Sequence, residues 1–237
     1  MDASLPHVFG IDDFTSPRYI QLFQRPSVFL SASIPYQKDT IKNSHYLKTA
    51  QPRRVIDAVS FLARAVFCRE LNLIFGGHPA ISPMVLDIAR RFLDQTEPRV
   101  AVFQSMFFYQ MIPQDTLRLA EWDYGHLFWT QRCSATPSKN ERDASLTWMR
   151  TVMLHCPNLV AAVFVGGMEG CEEEADLARN LPGKLPCFAI GSSGSAAGDL
   201  LKSDPQRFSG SHATESILRG AVSYPLVMKR ILADIGY

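Results

Sequence analysis

Gly166, Gly167 and Gly170 close an apolar run, Val160-Ala161-Ala162-Val163-Phe164-Val165, and lead into Glu172, Glu173 and Glu174. A strand, a glycine turn and an acidic helix start suit a nucleotide. Glycine lets backbone N–H groups come close to phosphate or ribose, and the helix N-terminus adds partial positive charge. Met168 and Glu169 complete the turn. The bland alternative is a plain strand-to-helix turn whose acids favour the helix dipole. The same device recurs along the chain. Phe29-Leu30-Ser31-Ala32-Ser33 ends small, Ile74-Phe75 runs into Gly76-Gly77-His78, and Ala189-Ile190-Gly191 runs into Ser192-Ser193-Gly194. Hydroxyls at Ser31, Ser33, Ser192 and Ser193 suit phosphate, though each is also an ordinary turn or cap residue. His78 is equally suited to donate to a ligand or to cap a backbone group. Cys171 opens a helix without a histidine or second cysteine close in sequence, and reads as a packed residue.

The elements that must carry these turns follow from hydropathy. Strands are expected at 27–33, 71–75, 99–103, 124–130, 159–165 and 185–190. Helices are expected over 55–66, from Ser82-Pro83 with Ser82 as cap, from Asn140 or Ser138 to about His155, from about 170 to 180, and after residue 195. Residues 37–52 and 203–212 read as polar loop and turn, and 104–139 as an irregular insertion or contact surface around Pro113 and Phe107, Phe108 and Tyr109. Residues 216–235 read as an amphipathic segment interrupted by Pro225. Residues 1–26 read as an extension packing on a domain of 27–237 or on a second subunit, because Phe9, Phe14, Leu22 and Phe23 are too apolar for a free tail. Strands alternating with helices predict an α/β, doubly wound, mostly parallel sheet of Rossmann-like type. Such a sheet brings all four small-residue turns to one edge, where ligands bind.

Composition narrows the field. The 237 residues carry a net charge of +1, 46% hydrophobic and 20% charged residues, which suits a globular domain with a full core. Without a basic excess, nucleic acid is not expected as a partner. Five cysteines without a C-x-x-C pair argue for reduced thiols, and the six histidines show no ligand spacing with them, so neither a metal nor a cofactor is expected. No signal-peptide pattern or membrane-length apolar run is read, which leads to an expectation of a cytoplasmic protein without a membrane partner.

The glycine pairs at 76–77 and 166–167, with the acidic helix after the second, resemble the SLOG superfamily. This Rossmann-like group includes the LOG-type phosphoribohydrolases, whose motif is P-G-G-x-G-T-x-x-E. Here valine stands for the proline, the threonine is missing, and one extra residue separates the glycine pair from Gly170. The segments 29–35, 75–81, 145–150 and 166–170 are closer to the SLOG branch found in bacterial conflict and antiphage defence systems. The resemblance implies a sensor of an NAD- or ADP-ribose-derived nucleotide, homo-oligomers and a separate effector. It also implies an alternative, an N-glycosidase in which Arg150 and either Glu173 or Glu174 act on the glycosidic bond. A third reading is an oligomeric interaction module with a vestigial pocket. On residues alone, Arg150 is as well read as a partner of Glu141 or Asp143 on its own helix.

Overall fold

The computed structural model describes residues 6–35, 44–93, 98–112, 125–220 and 223–237. Seven strands form one sheet: β1 (Val8–Phe9), β2 (Ser27–Ser33), β3 (Asn72–Gly76), β4 (Val100–Ser105), β5 (Gly125–Thr130), β6 (Leu159–Gly166) and β7 (Cys187–Ile190). Their order is β1-β5-β4-β3-β2-β6-β7, and each pairing is parallel. Val28, Phe29, Leu30, Leu73, Ile74, Phe75 and residues 161–165 are buried, which is why these strands read as continuous apolar runs.

The chain moves outward from β2 through β3, β4 and β5, then returns to the other side of β2 for β6 and β7. Right-handed crossovers in opposite directions put their helices on opposite faces. The Pro52–Cys68 and Ser82–Phe92 helices share one face. The Glu141–Leu154 and Glu169–Arg179 helices share the other, the first packing on β3, β4 and β5 and the second on β2 and β6. The direction reverses between β2 and β6, whose C-terminal ends are paired as Ser33 with Gly166. This is the topological switch point, where open α/β sheets leave a crevice. The doubly wound parallel sheet is therefore the expected one.

Several elements depart from the sequence reading. Ser44–Thr49, inside the expected loop of 37–52, is a helix packed on the Ser195–Ser203 helix. Its polar composition hides one decisive residue, the buried Tyr46. Residues 37–43 of that loop lie outside the described residues, as do Tyr124 and Pro113. Ile81 rather than Ser82 occupies the cap position before Ser82–Phe92. The Ser82 hydroxyl instead accepts the His78 backbone N–H at 2.9 Å, one residue inside the helix. The turn-rich 203–212 stretch contains a short helix, Pro205–Phe208, capped by Asp204 accepting from the Arg207 N–H. Around Pro225 the interruption is a break between two helices, His212–Gly220 and Tyr224–Asp234.

The N-terminal segment adds β1 beside β5, and Phe9, Phe14 and Phe23 pack with Phe103 and Phe128. Asn72 Nδ2 donates to the Leu22 carbonyl at 2.5 Å, and Asn158 Nδ2 donates to that of Phe23 at 3.0 Å. No helix among the described residues is long and apolar enough to cross a membrane.

Tyr46 tests the unexpected helix. Tyr46→Ala is expected to cost about 3–5 kcal/mol in urea denaturation, as emptied aromatic sites do. Tyr46→Phe, which keeps the ring and removes only the hydroxyl near Glu172, is expected to cost about 1 kcal/mol or less. Equal small costs would mean the helix is not packed as described.

Candidate functional site

All four small-residue turns lie at the C-terminal edge of the sheet, because the strands that end in them run parallel. At the switch point Gly166 and Gly167 have φ of 62° and 84°, a left-handed turn that glycine adopts without strain. The Gly167 N–H donates to the Ser33 carbonyl at 2.9 Å, tying β6 to β2 at its end. The Glu169–Arg179 helix starts there. Its cap, Met168, is extended and offers no side-chain bond to the first turn, so the start of the helix relies on other acceptors.

Four charged residues, Lys139, Arg150, Glu173 and Glu174, meet beside this turn. Arg150, on the Glu141–Leu154 helix, pairs with Glu173 through Nη1 and lies 3.5 Å from a Glu174 oxygen through Nε. Its guanidinium also covers Gly170, where a Cβ would fall 2.4 Å from Nη2. The third glycine thus makes room for an arginine of the same chain. Lys139 Nζ reaches Glu173 at 2.7 Å and Thr147 Oγ1 at 2.5 Å, and the Thr147 hydroxyl also donates to Glu173. Lys139 and Thr147 were not singled out from sequence. Thr147 precedes Arg150 by three residues, so a shared helix face was the available signal. Glu141 and Asp143, the partners weighed for Arg150, pair with Arg132 and Arg142 instead.

The two glutamates differ electrostatically. Burial pushes Glu173 up, but Lys139, Thr147 and Arg150 outweigh it and hold its carboxyl below the ordinary range. Burial pushes Glu174 above that range, against the opposing pull of Arg150 and of the Ser31 hydroxyl. Glu174 therefore faces the end of β2, whereas Glu173 faces the neighbouring helix. Ser31 is buried and also interacts with Cys171, whose thiol is raised by burial. Cys171 is the packed residue the sequence suggested.

The other turns are held by the chain itself. Ser193 Oγ accepts the Gly166 N–H at 2.7 Å and donates to the Ile190 carbonyl at 2.5 Å. The Ser192 hydroxyl meets Tyr224 Oη at 3.3 Å, and its carbonyl accepts from Arg54. Gly194 lies against the Thr49 carbonyl, so Ser44–Thr49 closes this end of the edge. Gly76 packs on Met149, and Gly77 lies beneath the Gln104 side chain. The His78 ring accepts the Ala80 N–H at 3.2 Å, the capping role rather than a free donor. Ala32, Ser33, Met168 and Gly170 are half-buried, and Glu169 is exposed at the helix start. The structure thus gathers Arg150, Glu173, Glu174, Ser31 and the 166–170 turn into one site. The Ser192 hydroxyl is engaged away from it by Tyr224, and the Ser193 hydroxyl is spent on bracing the Gly166 N–H.

Residues 45–218 match the model of the SLOG cluster3 family. No curated protein matches the chain by sequence. Among solved structures, the chain is similar to DNA processing protein A from Helicobacter pylori, described for its single-stranded DNA binding mode. The TM-score is 0.55 at 12% identity, over 90% of this chain and 84% of that one. That finding overturns the exclusion of nucleic acid drawn from a net charge of +1. A whole-chain sum says nothing about where charge is concentrated, and a protein of this fold is described with single-stranded DNA.

The adjacent glutamates give opposite expectations for stability against pH. An unfolded glutamate titrates near about 4.3. Glu173 lies below that in the fold, so its contribution is present above the unfolded value and lost as pH falls through the folded one. Glu174 lies above it, so its contribution is present below the unfolded value and lost as pH rises through the folded one. In urea denaturation, Glu173→Gln is expected to cost about 1.5–3 kcal/mol at pH 7, and progressively less as pH falls through the folded value of Glu173. Glu174→Gln is expected to match or exceed wild type at pH 7. Two losses of equal size and sign would contradict this assignment.

Proposed function

The chain belongs to the SLOG cluster3 family, and on that premise we propose that it binds a phosphorylated nucleotide derived from NAD or ADP-ribose and acts as a sensor. Phosphate would sit at the 167–170 turn, against the backbone N–H groups that open the Glu169–Arg179 helix. Ser31, Ala32 and Ser33 would border it at the end of β2, and Gly76, Gly77 and His78 at the end of β3. The observation that carries this reading is the uncapped helix start at the switch point, behind two glycines of positive φ. A role in a bacterial defence or signalling system, assembly as a homo-oligomer and a separate effector belong to the same proposal, and rest on the family resemblance.

Binding is favoured over turnover because Arg150 is already engaged by two carboxylates. An arginine held this way anchors the helix pair and has less capacity left to grip a phosphate. The second reading, an N-glycosidase, is supported by Glu174. A carboxyl raised by burial beside Ser31 is the kind of perturbed group that serves as a general acid or base. Single-stranded DNA is the other occupant to compare, from the fold shared with the Helicobacter protein.

The readings separate in one set of experiments. ADP-ribose at a hundred times its Kd is expected to stabilise the protein by about 2.7 kcal/mol in thermal or urea unfolding. AMP and NAD are expected to remain intact by chromatography. Release of free base that disappears in Arg150→Ala and Glu174→Ala would replace the sensor by the glycosidase. Stabilisation by a single-stranded oligonucleotide but by no nucleotide would contradict both.

A further inference from the structure

A second cleft lies on the opposite face from Arg150. Gln51, which caps the Pro52–Cys68 helix, and Arg53, Arg54, Asp57 and Phe61 within it face Tyr224 across a crevice of about 680 Å³, within the size range of small-ligand pockets. Charge is arranged unusually here. The Pro52–Cys68 helix has no acidic residue in its first turn and no side-chain cap, yet Arg53 and Arg54 stand at that end. Cations at a helix N-terminus oppose the dipole. The Tyr224–Asp234 helix also begins at this crevice, and its cap residue Ser223 makes no side-chain capping bond. Two positive helix ends and two guanidinium groups thus converge on one space.

The cations are not consumed by the fold. Arg54 spends one N–H on the Ser192 carbonyl, at 3.2 Å. The Arg53 side chain makes no ion pair or hydrogen bond with the described residues, and neither does that of Asp57, although the two are four residues apart on one helix. Asp57, Arg54 and Tyr224 all line the crevice, so a carboxylate and a guanidinium border the same space as the phenol. Phe61 and the buried Tyr224 add ring surface.

We propose that this crevice is a second binding site, separate from the glycine turns, for a small phosphorylated ligand of mononucleotide size. Arg53 and the free N–H groups of Arg54 take the phosphate, for which planar guanidinium groups are suited. Asp57 accepts from sugar hydroxyls. The Phe61 and Tyr224 rings flank the base. The site is joined to the sheet edge through Ser192, which Arg54 and Tyr224 both contact, and Ser193, whose hydroxyl holds the Gly166 N–H. Occupancy here therefore bears on the turn that opens the first site.

Equilibrium dialysis of the full chain with ADP tests this. Arg53→Glu, a change at an exposed residue, is expected to remove one bound equivalent or weaken it at least tenfold, with an unchanged circular dichroism spectrum. Asp57→Asn is expected to weaken ADP several-fold while leaving competition by inorganic phosphate unaltered, which separates a nucleotide from free phosphate. Unchanged ADP binding in Arg53→Glu, or no ADP binding to the wild type, overturns the proposal. Equal weakening of phosphate and ADP in Asp57→Asn overturns the sugar contact. If only the glycine-turn site fails, the wild type binds a single equivalent that Arg53→Glu still abolishes, so the two failures are told apart.

Discussion

The candidate site depends on how the Arg150 charge is accommodated. A cation withdrawn this far from water needs partners that also satisfy its N–H groups. Two carboxylates on the next helix of the same face balance its charge, Glu173 also accepting from Nη1, while the buried Nε has no hydrogen-bond partner and meets Glu174 only as an ion pair. The arrangement fixes the Glu141–Leu154 helix against the Glu169–Arg179 helix, and so fixes the start of the latter over the ends of β2 and β6. It also dictates Gly170, since a side chain there would occupy the place of the guanidinium. Lys139 and Thr147 complete the shell around Glu173 and leave Glu174 as the glutamate directed at β2.

The sheet edge is thereby divided. At the β7 end, Tyr46 and Thr49 of the Ser44–Thr49 helix hold Ser195 and Gly194, and Ser193 is spent on the Gly166 N–H. These bonds tie the β6 and β7 turns to one another and to the Ser44–Thr49 helix. At the β2 and β6 ends, the left-handed pair Gly166-Gly167 presents a helix start without a side-chain cap. A ligand anion has its best opportunity there, because backbone donors and helix dipole point to the same place.

Much of this was legible in the sequence because buried parallel strands are written as apolar runs and their turns as glycines. Leu159–Gly166, Glu141–Leu154 with its Asn140 cap, and the helix after Gly167 fall within a residue or two of the expected bounds. The Ser44–Thr49 helix was not legible, since it is held by one buried tyrosine amid polar residues rather than by a periodic stripe. Which glutamate faces β2 was also hidden, because it depends on where a neighbouring helix sets Lys139. Nor does a run of glycines reveal whether its space is left for a ligand or taken by a side chain. Gly170 and Gly77 are covered by Arg150 and Gln104. The exclusion of nucleic acid failed for a related reason: net charge is an average over a surface whose shape decides what binds.

Amide hydrogen exchange with and without ADP-ribose tests the central claim most directly. The account predicts slowed exchange at Met168, Glu169 and Gly170, where the Glu169–Arg179 helix begins, and at the ends of β2 and β3. Slowed exchange confined to other elements, or none under saturating ligand, would contradict a nucleotide site at the switch point.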